Sequence, residues 1–357
     1  MKSISNVIRS IAITTYFAHH ASFNGYKQIL RYTQPQLILG VDERDTAATA
    51  AMATKYPWLH EWQAWRAHRA RPADVVHLLY AETYLRFSPW LFQIPVVGTF
   101  HQPPDRLLQQ LERGDETGRV SAAVHAMTKG RYRRLAAAII LSENQREVLA
   151  RFVPADRIHL VPLGAATHEL IAQCDALSVP RQQDEVVTVG NWLRDWRYYF
   201  DFVRACQTTS PSLRFVLVNR KLPAEWHAAA RSLSNLQWRE NLSDGELLEQ
   251  YARASAIFLP LCEATGNNAA NEAMAAGCPI VTNLSLDCPA GDDFVVVAPR
   301  AHDAMLAALH RVCGYDDQTR AALRTATRKA LAGLDWSETA RRTLDVYRLA
   351  AKWVGRG

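Results

Sequence analysis

Two glutamates and three asparagines crowd the segment Ile257–Val281, IFLPLCEATGNNAANEAMAAGCPIV. An apolar strand, Ile257–Leu261, runs into a polar loop holding Glu263, Thr265, Gly266, Asn267 and Asn268. The loop opens a helix of small residues with Glu272 near its start, and Gly277, Cys278 and Pro279 end that helix ahead of a β-branched strand. A strand, a glycine-containing loop and a helix N-terminus together cradle an anion, because unpaired backbone N–H groups and the positive end of the helix dipole face it. The glutamates add acceptors for hydroxyl groups, and anion donors beside hydroxyl acceptors suit a nucleotide-sugar. A cap at Asn268 would place a capping-box Glu or Gln three residues on. That position is Asn271, so capping leaves Glu272 unexplained and points it at a ligand.

Moving a sugar from a nucleoside diphosphate requires that the leaving diphosphate be stabilised, the acceptor hydroxyl be held and water be excluded. The run Gly190-Asn191-Trp192-Leu193-Arg194-Asp195 follows an apolar strand. Its glycine lets a ligand approach the backbone, and Arg194 offers a bidentate fork to diphosphate oxygens; a surface charge pair with Asp195 is the competing role. Lys221, in Asn219-Arg220-Lys221 after another strand, is a second phosphate contact or a solvated loop lysine. His101 sits at a strand end before Pro103 and Pro104, which stiffen the loop beyond it. His77, inside an apolar strand, is expected to be packed or hydrogen-bonded. His19 and His20 have no Asp-x-Asp partner, and no metal site is expected.

These residues need elements to hold them. Short β-rich runs alternate with helical stretches: Ser10–Phe17, Leu37–Leu39, Val75–Leu79, Val96–Thr99, Ala138–Leu141 and Ile158–Val161, then Val186–Val189, Arg214–Val218, Leu236–Trp238, Ala256–Leu259, Ile280–Thr282 and Phe294–Val297. Two such sets predict an α/β protein of two Rossmann-like, doubly wound domains, with ligands at the carboxyl ends of the strands. A chain of 357 residues has the length for two cores. Pro162, Gly164, Pro180 and the polar 181–185 run put the boundary between about 165 and 184. The expected division is residues 1–165, a linker over 166–184, and a second domain over 185–335, with a final helix over 336–357.

The net charge of +6 is uneven: residues 1–165 carry 20 Lys/Arg against 13 Asp/Glu, and the rest 21 against 22. A basic first half suggests an anionic partner there, such as an acidic membrane surface, a lipid diphosphate or an acidic glycan. No nucleic-acid motif accompanies the charge. Six cysteines without a C-x-x-C pair read as buried free thiols. The apolar run near the N-terminus is short and polar-flanked, which argues for a cytoplasmic protein. The stretch Pro57–Arg71 places Trp58, Leu59, Trp62 and Trp65 on one helical face, with Arg66, Arg69 and Arg71 following. Such a helix packs on a sheet or lies on a membrane.

The Ile257–Val281 segment resembles the donor signature of glycosyltransferase family four, a family of retaining enzymes with the two-domain GT-B fold. Gly266 and Glu272-Ala273-Met274-Ala275-Ala276-Gly277-Cys278-Pro279 match its pattern. Glu263 and Glu272 are nine residues apart where the family commonly has eight, and Gly266-Asn267-Asn268 is similar to a subgroup with Ala-Asn-Asn before the second glutamate. Leu141-Ser142-Glu143 with Ile158–Gly164 resembles the end of the family's first domain, and Asp335-Trp336-Ser337 through Tyr347 its C-terminal helix, which crosses back onto that domain.

The resemblance implies two facing domains with an interdomain cleft, and the glycine-plus-Arg-Asp pattern of Gly190, Arg194 and Asp195 on the diphosphate. Trp196 stands where some members place a lysine, leaving the task to Arg194 or Arg197. It implies His101 against the donor sugar and Gly25 in a loop near the phosphates, without the usual two-glycine pattern. Glu272 would hold the ribose, while Asn191, Glu263, Thr265, Gly266, Asn267 and Asn268 would line the diphosphate and sugar. No metal or cofactor is implied. The expected activity is transfer from a nucleoside-diphosphate sugar to a glycan or lipid-linked acceptor, in surface polysaccharide or glycoconjugate synthesis. A sugar-nucleotide epimerase on the same fold and a non-catalytic nucleotide- or glycan-binding relative are the alternatives.

Overall fold

The computed structural model describes residues 8–15, 25–40, 57–85, 91–113 and 130–353. His19, His20 and the end of the first expected strand, at Phe17, lie outside the described residues. The chain divides into two compact units, Met1–Gly164 with Trp336–Gly357, and Ala165–Asp335.

In the first unit, β1 (Ser10–Ile13), β2 (Leu37–Leu39), β3 (Val75–Leu78), β4 (Val96–Phe100), β5 (Ala137–Ile140) and β6 (Ile158–Leu160) form a parallel sheet. Its order is β2-β1-β3-β4-β5-β6. The central strands β1, β3, β4 and β5 are buried at every position. Parallel strands covered on both faces read as unbroken apolar runs, which is why they were visible in the sequence. Helices α1 (Ile29–Thr33), α2 (Pro57–Ala70), α3 (Pro104–Arg113) and α4 (Arg146–Leu149) accompany the sheet.

In the second unit, β7 (Glu185–Val189), β8 (Arg214–Asn219), β9 (Leu236–Glu240), β10 (Ala256–Leu259), β11 (Ile280–Thr282) and β12 (Val295–Val297) are again all parallel. Their order is β12-β11-β10-β7-β8-β9. The chain winds outward from β7 on one side and from β10 on the other. Two neighbouring strands therefore send their following loops in opposite directions, and the crevice between them is where open α/β sheets bind ligands. The helices are α5 (Thr167–Ala176), α6 (Trp196–Thr209), α7 (His227–Ser232), α8 (Asp244–Arg253), α9 (Asn268–Ala276), α10 (His302–Cys313) and α11 (Asp317–Ala332). Tyr199, Phe200, Phe202, Phe215 and Phe258 pack in the core on one face of this sheet.

The expected linker over 166–184 is corrected by α5, whose Thr167, Leu170 and Cys174 are buried within the second unit. Their 3-4 spacing gives the segment an apolar stripe; Pro162 and Gly164 precede that helix, and Pro180 with the polar 181–185 run follows it. The last helix, α12 (Trp336–Ala351), belongs to the first unit. It buries Trp336, Ala340, Thr343, Tyr347 and Ala350, and Val346, Tyr347 and Ala350 pack with Val75, Val97, Ala137 and Ile139. Tyr347 Oη lies 2.7 Å from His77 Nδ1, and His77 Nε2 lies 2.8 Å from Thr99 Oγ1. His77 is thus a buried structural residue, and loss of solvation lowers its pKa to about 3, keeping it neutral.

Gly164 and Trp336 meet where the chain leaves and re-enters this unit. A Cβ at Gly164 would lie 2.3 Å from Trp336 Cε3. Gly164→Ala is expected to destabilise the protein by about 1–3 kcal/mol through overpacking, as measured by urea unfolding.

Candidate active site

The crevice in the second unit is built by two loops stitched together. Asp195 N donates to Pro260 O at 3.0 Å, and Cys262 N donates to Leu193 O at 2.9 Å. Arg194 and Leu261 form a bridge between these bonds. Asn283, just past β11, holds the Leu261 peptide from both sides: its Oδ1 accepts from Leu261 N at 2.7 Å and its Nδ2 donates to Leu261 O at 2.8 Å. The β7 loop turns sharply, with φ of +87° at Gly190 and +61° at Leu193. Gly190 suits the first of these because it lacks a Cβ.

Arg194 closes the same turn. Its Nε and Nη2 donate to Val189 O at 2.9 and 2.5 Å, and its Nη1 to Trp192 O at 3.1 Å. Three of the five guanidinium donors therefore shape the loop, which differs from an arginine splayed toward a ligand. Desolvation lowers its pKa to about 10, opposed by Tyr251, so it stays cationic at neutral pH. Asp195 caps α6 by accepting from Tyr198 N at 3.0 Å and pairs with Arg300. Its partner is thus Arg300 and the α6 N-terminus, not Arg194.

The second loop leads into α9. Asn267, not Asn268, is the cap: its Oδ1 accepts from Ala269 N at 3.0 Å. The capping-box position is then Ala270, and Glu272 remains outside any cap. Thr265 is buried and Gly266 has a φ of +45°. Among the described residues no hydrogen bond uses the N–H of Gly266, Asn267 or Asn268. Glu272 is buried, one turn and more inside the helix, and its Oε2 accepts from Tyr251 Oη at 2.9 Å. Burial, then the nearby Glu272 charge, raises the Tyr251 pKa far above its ordinary value, so the phenol keeps its proton and donates. Glu263 is half-buried in the same loop. Asn191, after β7, has a buried Oδ1 without a partner. Lys221, after β8, is exposed and its side chain is solvated. The second unit thus brings Asn191, Arg194, Lys221, Glu263, Thr265, Gly266, Asn267, Asn268 and Glu272 to the carboxyl side of one sheet.

His101 and Gly25 belong to the first unit. Gly25 has a φ of +100° and starts a short 3-10 turn over Tyr26–Gln28. His101 follows β4; its Nε2 lies 2.7 Å from Leu79 O, which fixes that nitrogen as the protonated one. Its ring stacks on Tyr80 at 4.3 Å between centroids and meets the edge of Tyr26 at 4.8 Å. Glu82 Oε1 accepts from the backbone N of His101 and, at 2.8 Å, from that of Gln102. Gln145 Nε2 donates to Phe100 O at 3.0 Å and Gln102 O at 2.8 Å, holding the loop from its other side.

Two family models match the chain: "Glycosyltransferase Family 4" over residues 25–169 and "Glycosyl transferases group 1" over residues 183–314. The chain is a family-four-like GT-B glycosyltransferase. Solved structures share its fold at low identity. A sucrose-phosphate synthase from Thermosynechococcus elongatus is 16% identical with a TM-score of 0.65, over 95% of this chain and 98% of the other. An α,α-trehalose 6-phosphate synthase from Burkholderia multivorans is 11% identical with a TM-score of 0.69, over 96% and 98%. An E. coli trehalose-6-phosphate protein bound with UDP-2-fluoro glucose is 10% identical with a TM-score of 0.68, over 95% and 99%. No curated protein matches in sequence.

Several supporting residues of this glycosyltransferase escaped sequence reasoning. Tyr251 and Asn283 act across more than twenty positions in sequence, and Glu82 reads as an ordinary polar residue until the backbone N–H groups of residues 101 and 102 converge on it. The cysteine expectation holds for Cys174, Cys206, Cys278 and Cys313, which are buried free thiols. Cys262 departs from it: the loop after β10 leaves it exposed.

Tyr251→Phe leaves the buried Glu272 without that donor and is expected to cost about 1–3 kcal/mol in urea unfolding. Burial raises the Glu82 pKa from its ordinary 4.5 to about 7, against the lowering effect of its backbone hydrogen bonds. The folded chain then holds a proton that the unfolded chain has released between those values. This contribution to stability is complete below pH 4.5 and is lost as pH rises through 7. Relative to the non-titrating Glu82→Gln variant, the wild type is expected to lose up to roughly 3 kcal/mol of unfolding free energy across that window, as read from urea melts at successive pH values.

Proposed function

We propose that this glycosyltransferase moves a sugar, with retention of anomeric configuration, from a nucleoside-diphosphate sugar to a glycan or lipid-linked acceptor in surface polysaccharide or glycoconjugate synthesis. The observation that carries the reading is the α9 N-terminus. Three unclaimed N–H groups at Gly266, Asn267 and Asn268 stand ahead of a buried carboxylate held by Tyr251. Backbone donors at a helix start take diphosphate oxygens, and Glu272 takes ribose hydroxyls. Arg194 adds a fixed positive charge beside them, and two of its guanidinium donors remain for oxygens of the leaving group. Lys221 reaches the same anion from the β8 loop. Asn191 and Glu263 meet sugar or phosphate, and Thr265 supports the turn.

The family resemblance assigns His101 to the donor sugar and Gly25 to the phosphates; in the first unit His101 has its Nε2 committed to Leu79 O. The acceptor hydroxyl attacks on the face from which the diphosphate departs, and the departing oxygens take up its proton. The charge on the leaving group is met by these donors without a metal ion or cofactor. The protein works in the cytoplasm, peripherally at the membrane face.

A panel of nucleotide-sugars and nucleoside diphosphates, tested by thermal shift in EDTA, checks the reading. One donor is expected to raise the melting midpoint by linkage, and Glu272→Ala is expected to weaken that donor by about tenfold or more, the loss of one charge-assisted hydrogen bond. Absence of any shift removes the donor site. With the donor identified, transfer is expected to continue in EDTA and to give a product with the donor's anomeric configuration by NMR. Turnover of the donor sugar with no acceptor present would favour the epimerase.

A further inference from the structure

Helix α2 (Pro57–Ala70) is packed the opposite way to what its residue types suggest. The positions it buries fully are Glu61 and Ala64, with Ala67 packing partly against the core. Its tryptophans point away: Trp58 is 44% exposed, and Trp62 and Trp65 are half-buried. Packing of the tryptophans on the sheet, the more ordinary expectation, is therefore corrected. Positions 58, 62, 65, 66 and 69 recur at helical spacing, so Arg66 and Arg69 share the face with the three indoles. Arg66 Cζ sits 4.7 Å over the Trp62 ring, and Trp65 Nε1 donates to Gln93 Oε1 at 3.2 Å. Arg66, Arg69 and the adjoining Arg71 are exposed, and among the described residues none has an acidic partner. The helix has one acidic residue, Glu61, and it faces inward.

We infer that this outward face of α2 is a docking surface for an anionic lipid bilayer. Indole rings settle at the level of lipid headgroups, where an apolar body and a polar N–H are both accommodated, and guanidinium groups are drawn to anionic headgroups. A fourteen-residue helix with this face lies along the interface rather than across it. Among the described residues no helix is long and apolar enough to cross a membrane. A second copy of the chain is the poorer occupant. A two-fold contact through this face would set the same unpaired arginines against one another. The inference rests on the proposed lipid-linked acceptor for its biological use, but the binding itself does not require the donor site.

The test is co-sedimentation of the full chain with vesicles of phosphatidylcholine, with and without phosphatidylglycerol. The protein is expected to pellet with the anionic vesicles, not with phosphatidylcholine alone, and to be released by salt. Arg66→Gln with Arg69→Gln is expected to weaken binding by roughly fivefold for each charge removed, and Trp58→Ala with Trp62→Ala to abolish pelleting. The arginine pair is exposed and should keep the wild-type melting temperature, so it reports on the surface even if the half-buried Trp62 makes the tryptophan pair less stable. Failure to pellet with anionic vesicles overturns the inference. So does equal pelleting by wild type and both variants, or lipid-free dimerisation that the tryptophan pair abolishes. A protein that pellets as expected yet shows no nucleotide shift leaves this surface standing and removes the donor reading, and the converse result does the reverse.

Discussion

The second unit's share of the candidate site depends on the hydrogen bonds that join the β7 and β10 loops. β7 and β10 are sheet neighbours whose connections leave in opposite directions, and such a divergence opens a crevice. The backbone bonds Asp195–Pro260 and Cys262–Leu193 join the two loops at that divergence. They tie the loop after the Gly190 turn to the loop that leads into α9. Asn283 adds a third side by holding the Leu261 peptide in both directions. The unclaimed N–H groups of residues 266–268 and the Arg194 charge stand on loops joined by this one arrangement.

Arg194 shows how a residue proposed for chemistry also serves structure. Its donors satisfy carbonyls that a tight turn would otherwise leave unpaired, and the charge stays at the ligand side of the sheet. Glu272 is treated alike: burial of a carboxylate is costly, and the Tyr251 phenol offsets that cost while aiming one oxygen. In the first unit the same economy organises His101. A main-chain clamp by Glu82 and Gln145, a carbonyl on Nε2 and two tyrosine rings leave the imidazole little freedom. The final helix reaches this cluster through Tyr347, His77, Thr99 and Tyr26, which run as one chain of buried hydrogen bonds.

Much of the fold was legible because parallel strands buried on both faces must be apolar throughout. The two sets of six runs found in the sequence correspond to β1–β6 and β7–β12, most ends shifting by at most one residue; β9 runs two residues further than expected, and β1 stops at Ile13, short of the expected run. The helix α5 was hidden because Thr167, Leu170 and Cys174 are a weak apolar stripe in a stretch punctuated by proline and charge. The Asn267 cap was displaced by one residue, since adjacent asparagines cap equally well by type and the backbone geometry chooses between them. The tryptophans of α2 misled for a related reason. Helical spacing places side chains on a common face, yet it does not say which face meets the sheet.

The amino-acid sequence by itself determined the α/β class, the two-sheet organisation and the family, and it singled out the loop proposed to meet the donor, because each follows from local residue order: apolar runs, glycine at tight turns, and a helix start beside two glutamates. The tertiary structure decided which donors are already spent and which remain. The turning of Arg194 onto Val189 and Trp192, the choice of Tyr251 as the partner of Glu272, the clamp of Glu82 on residues 101 and 102, and the outward turn of Trp58 arise from groups distant in sequence competing for the same space and the same hydrogen bonds. That competition is settled only when the sheets close and each buried polar atom must find a partner.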